Sequence, residues 1–264
     1  MEFVQLTIEP LIRWLHILAG VIWIGLLYFF NFVNGPFAAT MNADTKKLVV
    51  PELMPRALYW FRWGAAWTWT TGVVMLMLTF YHGKMVFAGG TATGWNLGAL
   101  TSIALTFGGF AVYDAIMTTS IITDQKMKNA VCFALIALTV FIMSLGGGFG
   151  YRGYVIHIGA MLGTTMAFNV WFRIWPSQQK IITAIKNGQA PDAALVALAG
   201  LRSRHNTYMS ASLLWTMISL HTMGFLVSIP LLGSRPEIGL LLMILVTWHV
   251  VFQLYARAGK VKGF

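Results

Sequence analysis

Four histidines fall inside long apolar stretches of the sequence: His16, His157, His221 and His249. An imidazole surrounded by lipid or apolar side chains needs a hydrogen-bond partner or a metal, so intramembrane histidines are functional candidates by default. His16 and His157 are related by their settings. Each follows an arginine, Arg13 or Arg152, and each precedes a Gly, four residues, Phe-Asn pattern: Gly25 to Phe30-Asn31, and Gly163 to Phe168-Asn169. A b-type haem asks for axial imidazoles from two helices at similar depth in a dry bundle core. At a rise of 1.5 Å per residue, His16 and His157 lie about 9 Å from the outer end of their stretches, His221 about 13 Å and His249 roughly 17 Å. The four are therefore the candidate haem ligands, sufficient for one bis-histidine haem b or for two, with the pairing open. The alternative is that each is a core histidine bonded to a neighbouring helix. His82 and His205 fall at the ends of stretches, where interfacial roles are expected.

Other polar residues supply a second layer of candidates. Arg13 and Arg152 stand at the outer mouth, where they would bind haem propionates, an anionic substrate or lipid headgroups. Asp114, Arg62, Asn31 and Asn169 lie deeper and are expected to form a buried polar cluster, with Asp114 bonding Arg62 or an asparagine, because an unpaired carboxylate is costly in lipid. A proton or quinone site is the other reading of Asp114. Eleven tryptophans, among them Trp60, Trp63, Trp67 and Trp69, suit an interfacial belt and helix packing better than a stacking platform. The single cysteine, Cys132, excludes an intrachain disulfide, a multi-thiolate zinc site and covalent CxxCH haem attachment. Phosphate-binding loops, dinucleotide fingerprints, HExxH and GxSxG are absent, so nothing supports nucleotide binding or hydrolysis.

The elements that must position these residues are helices in a membrane. The 264 residues are 58% hydrophobic and 10% charged, with a mean hydropathy of +0.71, far more apolar than a soluble domain. The expectation is an all-α polytopic transmembrane bundle, one domain over residues 1–264, with about seven spans near 10–33, 59–80, 97–122, 129–149, 151–175, 205–229 and 238–257. Gly146-Gly147-Gly148 reads as the turn before the fifth span. Of the 18 basic residues, Arg13, Lys84, Arg152 and Arg235 fall on one side of this arrangement and the rest on the other. Such asymmetry predicts a periplasmic N-terminus and a cytoplasmic C-terminus in a bacterial inner membrane, and it accounts for the net charge of +10 without nucleic acid. The first residues lack a basic n-region and a cleavage site, so the first span is expected to act as its own insertion signal. Two long cytoplasmic connections, about 34–58 and 176–204, mix apolar and charged residues as short amphipathic surface helices do. Matching the first span and its connection to the fifth gives a weak parallel internal duplication. A complete repeat would hold an eighth helix.

The blocks HILAGVIWIGLLYFFNFV, RALYWFRWGAAWTWTTG and GYRGYVIHIGAMLGTTMAFNVWFRIWPSQQ resemble the urate oxidase N-terminal family, the membrane part of a bacterial urate hydroxylase. The resemblance implies an eight-helix membrane domain followed by a periplasmic cytochrome c, oxidising urate to 5-hydroxyisourate and passing electrons to the respiratory chain. His16 and His157 match the histidine-bearing helices of that pattern. The eighth helix and a CxxCH domain are missing from this sequence, so a redox membrane domain is better supported than urate as substrate.

Three functions follow. One is a purine-oxidising enzyme of the urate hydroxylase type, with haem accepting electrons. Another is a haem b electron-transfer subunit linked to quinone or cytochrome c, with no substrate of its own. The third is a structural subunit of a larger respiratory or photosynthetic assembly, beside other redox subunits. A haem ligated on both faces favours the second, because small-molecule chemistry at iron needs an open position.

Overall fold

The structure is a computed structural model that describes residues 4–83, 85–87, 96–146, 148–219, 225 and 228–261. It is all-α, and among the described residues the sole extended pairing is an isolated bridge between Phe87 and Phe149. The helices are α1 (Glu9–Tyr28), α2 (Gly35–Thr40), α3 (Ala43–Met75), α4 (Leu97–Thr118), α5 (Gln125–Phe141), α6 (Tyr151–Asn169), α7 (Trp175–Lys186), α8 (Ala193–Ser219) and α9 (Pro236–Ala258). Among the described residues, five helical runs are long and apolar enough to cross a membrane: Leu6–Thr40, Leu97–Thr118, Gln125–Leu145, Tyr151–Lys186 and Pro236–Ala258. Large apolar side chains such as Trp14, Val21, Leu97, Leu145 and Val246 are exposed along them, as lipid-facing residues must be. This is a membrane protein.

The spans expected at 59–80 and 205–229 fall on α3 and α8, and residues 220–224, 226 and 227 of the latter lie outside the described residues. Both helices are long, at 33 and 27 residues, yet neither is among the five apolar runs. The reason for α8 is visible in its buried face, which carries Arg202, Asn206, Thr207, Ser210, Ser212 and Thr216. The two expected connections are mostly helical. Residues 43–58 run unbroken into α3 despite Pro51 and Pro55 within the helix, and an exposed Glu52–Arg56 pair at 2.7 Å spans that stretch. The hydrogen bond from Arg56 holds the Glu52 carboxyl below its usual range. The second connection holds α7, an amphipathic helix as expected, burying Ser177, Ile181 and Ile182 while Gln179 and Lys180 face outward. It stops at Gly188, whose φ of +71° suits glycine and lets Gln189 N–H return to the Ala184 carbonyl at 2.8 Å.

The duplication read from sequence has a structural counterpart. After Tyr28, α1 widens into a π segment, Phe29–Asn34, and then restarts as α2 with Pro36 in its first turn. After Asn169, α6 likewise passes through a π segment, Val170–Ile174, into α7 with Pro176 in its first turn. Proline is tolerated there because its missing N–H is one that a helix start leaves unbonded anyway.

The chain divides into two compact units. One comprises Met1–Thr71, Met166–Ala211 and Trp248–Phe264. Its core is built on Trp23, Leu27, Phe61 and Ala65, where α3 approaches α1 so closely that a Cβ on Gly64 would sit 3.2 Å from the Trp23 backbone nitrogen. The other comprises Gly72–Thr165 and Ser212–Thr247, with Val86, Met143, Val155, Ile158, Leu240 and Ile244 at its centre. There Gly148, at φ +68°, completes the expected turn into α6; Gly147 lies outside the described residues. Gly150 N–H bonds the Val86 carbonyl at 3.1 Å, pinning residues 85–87 against the first turn of α6.

That contact sets a test. A Cβ on Gly153 would run into the Val86 carbonyl oxygen, whereas one on Gly163 would make ordinary contact with Leu213 at 3.7 Å. Gly153→Ala is expected to cost about 1–3 kcal/mol through overpacking, and Gly163→Ala to be neutral or to gain up to about 1 kcal/mol from helix propensity. Thermal melts of the two variants in detergent check the contrast.

Candidate functional site

His16 lies half-buried on α1. Its Nδ1 is 2.9 Å from the Thr68 carbonyl oxygen and 3.1 Å from Thr71 Oγ1, both on α3. A carbonyl only accepts, so Nδ1 carries a proton, and the apolar setting keeps the ring neutral because an imidazolium there would be costly. Thr71 agrees: its hydroxyl gives its proton to the Trp67 carbonyl at 2.6 Å, which leaves its oxygen to accept from Nδ1. The direction of the His16 Nε2 lone pair is thereby fixed. The close approach of α1 and α3 at Gly64 brings this carbonyl within reach of the imidazole.

His157 is fully buried on α6. Its Nδ1 donates to the Gly153 carbonyl one turn back, at 2.7 Å, so here too Nε2 carries the lone pair. That lone pair accepts from the Tyr81 hydroxyl at 2.7 Å. Tyr81 belongs to the π segment Leu76–His82 that extends α3, and π turns of this kind often mark functional positions. The Phe149 ring, set by the Val86–Gly150 contact, lies 5.0 Å from the imidazole at a tilt of 31°. The two related histidines thus share one tautomer, Nδ1–H bonded to backbone and Nε2 unprotonated, which is how proteins orient imidazoles that bind metals.

The remaining histidines are placed differently. His249 is exposed on α9, its Nε2 3.2 Å from the amide nitrogen of Gln253. His82 is exposed and His205 half-buried, while His221 lies outside the described residues. Among the described residues no group of three or more His, Cys, Asp or Glu gathers to hold a bare metal ion. Arg13 is paired with Glu9 of its own helix at 2.5 Å, and Arg152 is exposed on the first turn of α6.

The expected polar cluster is reorganised around α8. Asn31 donates to Ser203 Oγ and to the Leu27 carbonyl, each at 2.9 Å, and its Oδ1 accepts from the Tyr255 hydroxyl at 2.8 Å. Asn169 donates to Asn206 Oδ1 at 2.9 Å, and Asn206 in turn donates to the Met166 carbonyl at 2.9 Å. The paired asparagines of the duplication therefore both reach α8, one turn apart. Arg62 sits in aromatic surroundings, its guanidinium 4.0 Å from the centre of the Trp175 ring and its carbonyl accepting from Trp171 Nε1 at 3.1 Å. Asp114 is half-buried on α4. Sequence reasoning missed Thr68, Thr71, Tyr81, Ser203 and Asn206. The Thr68–Thr71 spacing and the polar run Arg202 to Ser212 were the available signals for four of them.

The chain belongs to the urate oxidase N-terminal family, whose family model matches residues 41–255. The matched stretch holds His157 and leaves His16 upstream of it. No curated protein and no solved structure matches the chain.

Removing the phenol hydroxyl in Tyr81→Phe strands a buried acceptor and is expected to destabilise the protein by about 1–3 kcal/mol. Combining it with His157→Leu should cost clearly less than the sum of the two single changes, because both polar groups then vanish together. Melting temperatures of the three variants, prepared without added haem, complete the cycle; additive losses would show the bond to be energetically idle.

Proposed function

We propose that this protein is a membrane redox protein that holds haem b non-covalently, one haem or two, with His16 and His157 each a candidate ligand, and that it oxidises urate or a similar purine, delivering electrons to the respiratory chain through cytochrome c or quinone. The observation that carries this reading is that Nδ1 of each related imidazole lies against a backbone carbonyl oxygen, at 2.9 Å for His16 and 2.7 Å for His157, which assigns the proton to Nδ1 and the lone pair to Nε2. The fit is chemical, since an axial ligand must offer a lone pair and keep its orientation. Family membership supports the substrate class. Haem, when bound, supplies a one-electron carrier.

The chain's own residues have definite parts in this reading. Thr68 and Thr71 orient His16, and Gly153 orients His157. Phe149 keeps water from the His157 ring. Tyr81 holds the His157 lone pair and must release it to any ligand that takes Nε2, so the phenol is a positioning group and a proton donor beside that nitrogen. Arg13 and Arg152, three and five residues before the histidines, are proposed to meet haem propionates, with Arg13 exchanging its Glu9 partner to do so. The oxidation balances as urate plus water giving 5-hydroxyisourate, two protons and two electrons. The bacterial inner membrane, with the N-terminus periplasmic and the C-terminus cytoplasmic, is the proposed location. An electron-transfer subunit without a substrate of its own is the second reading, since a haem that kept no open position would do no small-molecule chemistry.

The test is a reduced-minus-oxidised spectrum and a pyridine haemochrome assay on protein made with ample haem. A b-type signal is expected in the wild type and its loss or weakening in His16→Ala and in His157→Ala, with anaerobic urate reducing the wild-type haem. Haem that urate leaves oxidised would assign the electron-transfer role, and haem-free wild-type protein would overturn both.

A further inference from the structure

A cavity of about 280 Å³ opens in the first unit where the π segment after α1 meets α3, α7 and the start of α8. Its walls include Phe30 and Phe61, whose rings meet edge to face at 5.3 Å, and the aliphatic Leu58 and Ile174. Polar groups from three elements reach the same space: Asn34, Gln178, Ser203 and Arg204. The described residues lining it include one cation and no carboxylate.

The hydrogen bonds around the cavity decide what it would hold. Ser203 Oγ accepts from Asn31, and Asn31 is itself held by the Leu27 carbonyl and the Tyr255 hydroxyl. The serine oxygen accepts one bond there, and its hydroxyl keeps a rotatable proton that a ligand oxygen in the cavity would accept. The Arg204 guanidinium can only donate. The Arg204 side chain is exposed and its guanidinium lies 5.4 Å from the centre of the Tyr255 ring, so a site with a hydroxyl donor, one positive charge at its edge and aromatic walls suits a flat ring whose edge carries acceptor oxygens. Ligand pockets run from about 300 to 1,000 Å³, so this one, at the lower limit, suits one or two fused rings and excludes a dinucleotide or a peptide.

We propose that this cavity binds a planar, carbonyl-edged ring, with Arg204 and Ser203 donating to its oxygens and Phe30 and Phe61 packing on it. Two sources share this chemistry: a water-soluble heterocyclic anion of the urate type, and the headgroup of a quinone arriving from the bilayer. Choosing these two as probes rests on the redox reading; the donor arrangement stands without it.

The experiment is isothermal titration of the full chain in lipid nanodiscs with urate and, separately, with a short-chain ubiquinone. Binding of either probe to wild type is expected, urate marking a substrate site and quinone an electron-acceptor site. Ser203→Ala and Arg204→Gln should each weaken that binding about tenfold to a hundredfold, the range for losing a hydrogen bond to a charged or buried partner. Gly200 lines the cavity and a Cβ there meets nothing within 4 Å, so Gly200→Leu should fill the space and abolish binding with little change in melting temperature. Wild-type protein prepared without haem should bind the probe as the haem-supplied protein does, which separates this site from the haem reading. Absence of binding by both probes to wild type, or wild-type affinity in Gly200→Leu and Arg204→Gln, would overturn the proposal.

Discussion

The hydrogen bond from a histidine Nδ1–H to a backbone carbonyl is the constraint around which the rest of this protein is arranged. Inside a bilayer there is no water to take the proton, and an unmet buried donor costs about 1–3 kcal/mol. His16 meets this demand across helices, and the demand accounts for the glycine at position 64: without the close approach it permits, α1 and α3 would stand too far apart for the Thr68 carbonyl to serve. His157 meets it within its own helix, through Gly153, and Gly153 is also the residue that lets the Val86 segment lie against α6. In both cases a glycine that shapes backbone packing lies close to the carbonyl that orients an imidazole. Packing and chemistry are therefore set by the same few positions.

A second polar system ties the duplicated halves together. The Phe-Asn pairs that close the two related helices send their amides to Ser203 and Asn206 of α8, and each related helix then passes through a π segment into a proline-started helix. The recurrence extends beyond sequence likeness to the way both helices end. Along α8 the buried serines, threonines and asparagine share the inner face with Ala199, Met209 and Leu213, where hydrogen bonds between helices are worth having, while Val196, Leu214 and Ile218 are exposed.

Much of this was legible in the sequence because residue type and spacing carried it. The helical class, the family, the two related histidines and the turn at Gly148 all follow from local pattern. Element boundaries did not, since prolines at 51 and 55 and the charges around them read as a connection, yet α3 runs through them. His249 shows the limit of arguing from depth. Distance along a helix says nothing of which face a residue occupies, and the buried side of α9 is marked by Leu240, Ile244, Val251 and Ala258, a register that turns His249 outward. The partners of the histidines were hidden for a different reason. A carbonyl such as that of Thr68 becomes available through helix packing, which no side-chain pattern announces, and Tyr81 was visible only as one more aromatic near the end of a span.

His16 and His157 are held with Nδ1 protonated and Nε2 unprotonated, the latter accepting from Tyr81 in His157. Nitrogen-15 NMR of histidine-labelled protein in detergent, with His16→Ala and His157→Ala used to assign the two rings, tests this protonation state most directly. The account predicts a protonated Nδ1 and an unprotonated Nε2 for both, unchanged across neutral pH. A proton on Nε2 of either ring would contradict it, because that histidine would then offer no lone pair where the structure aims one.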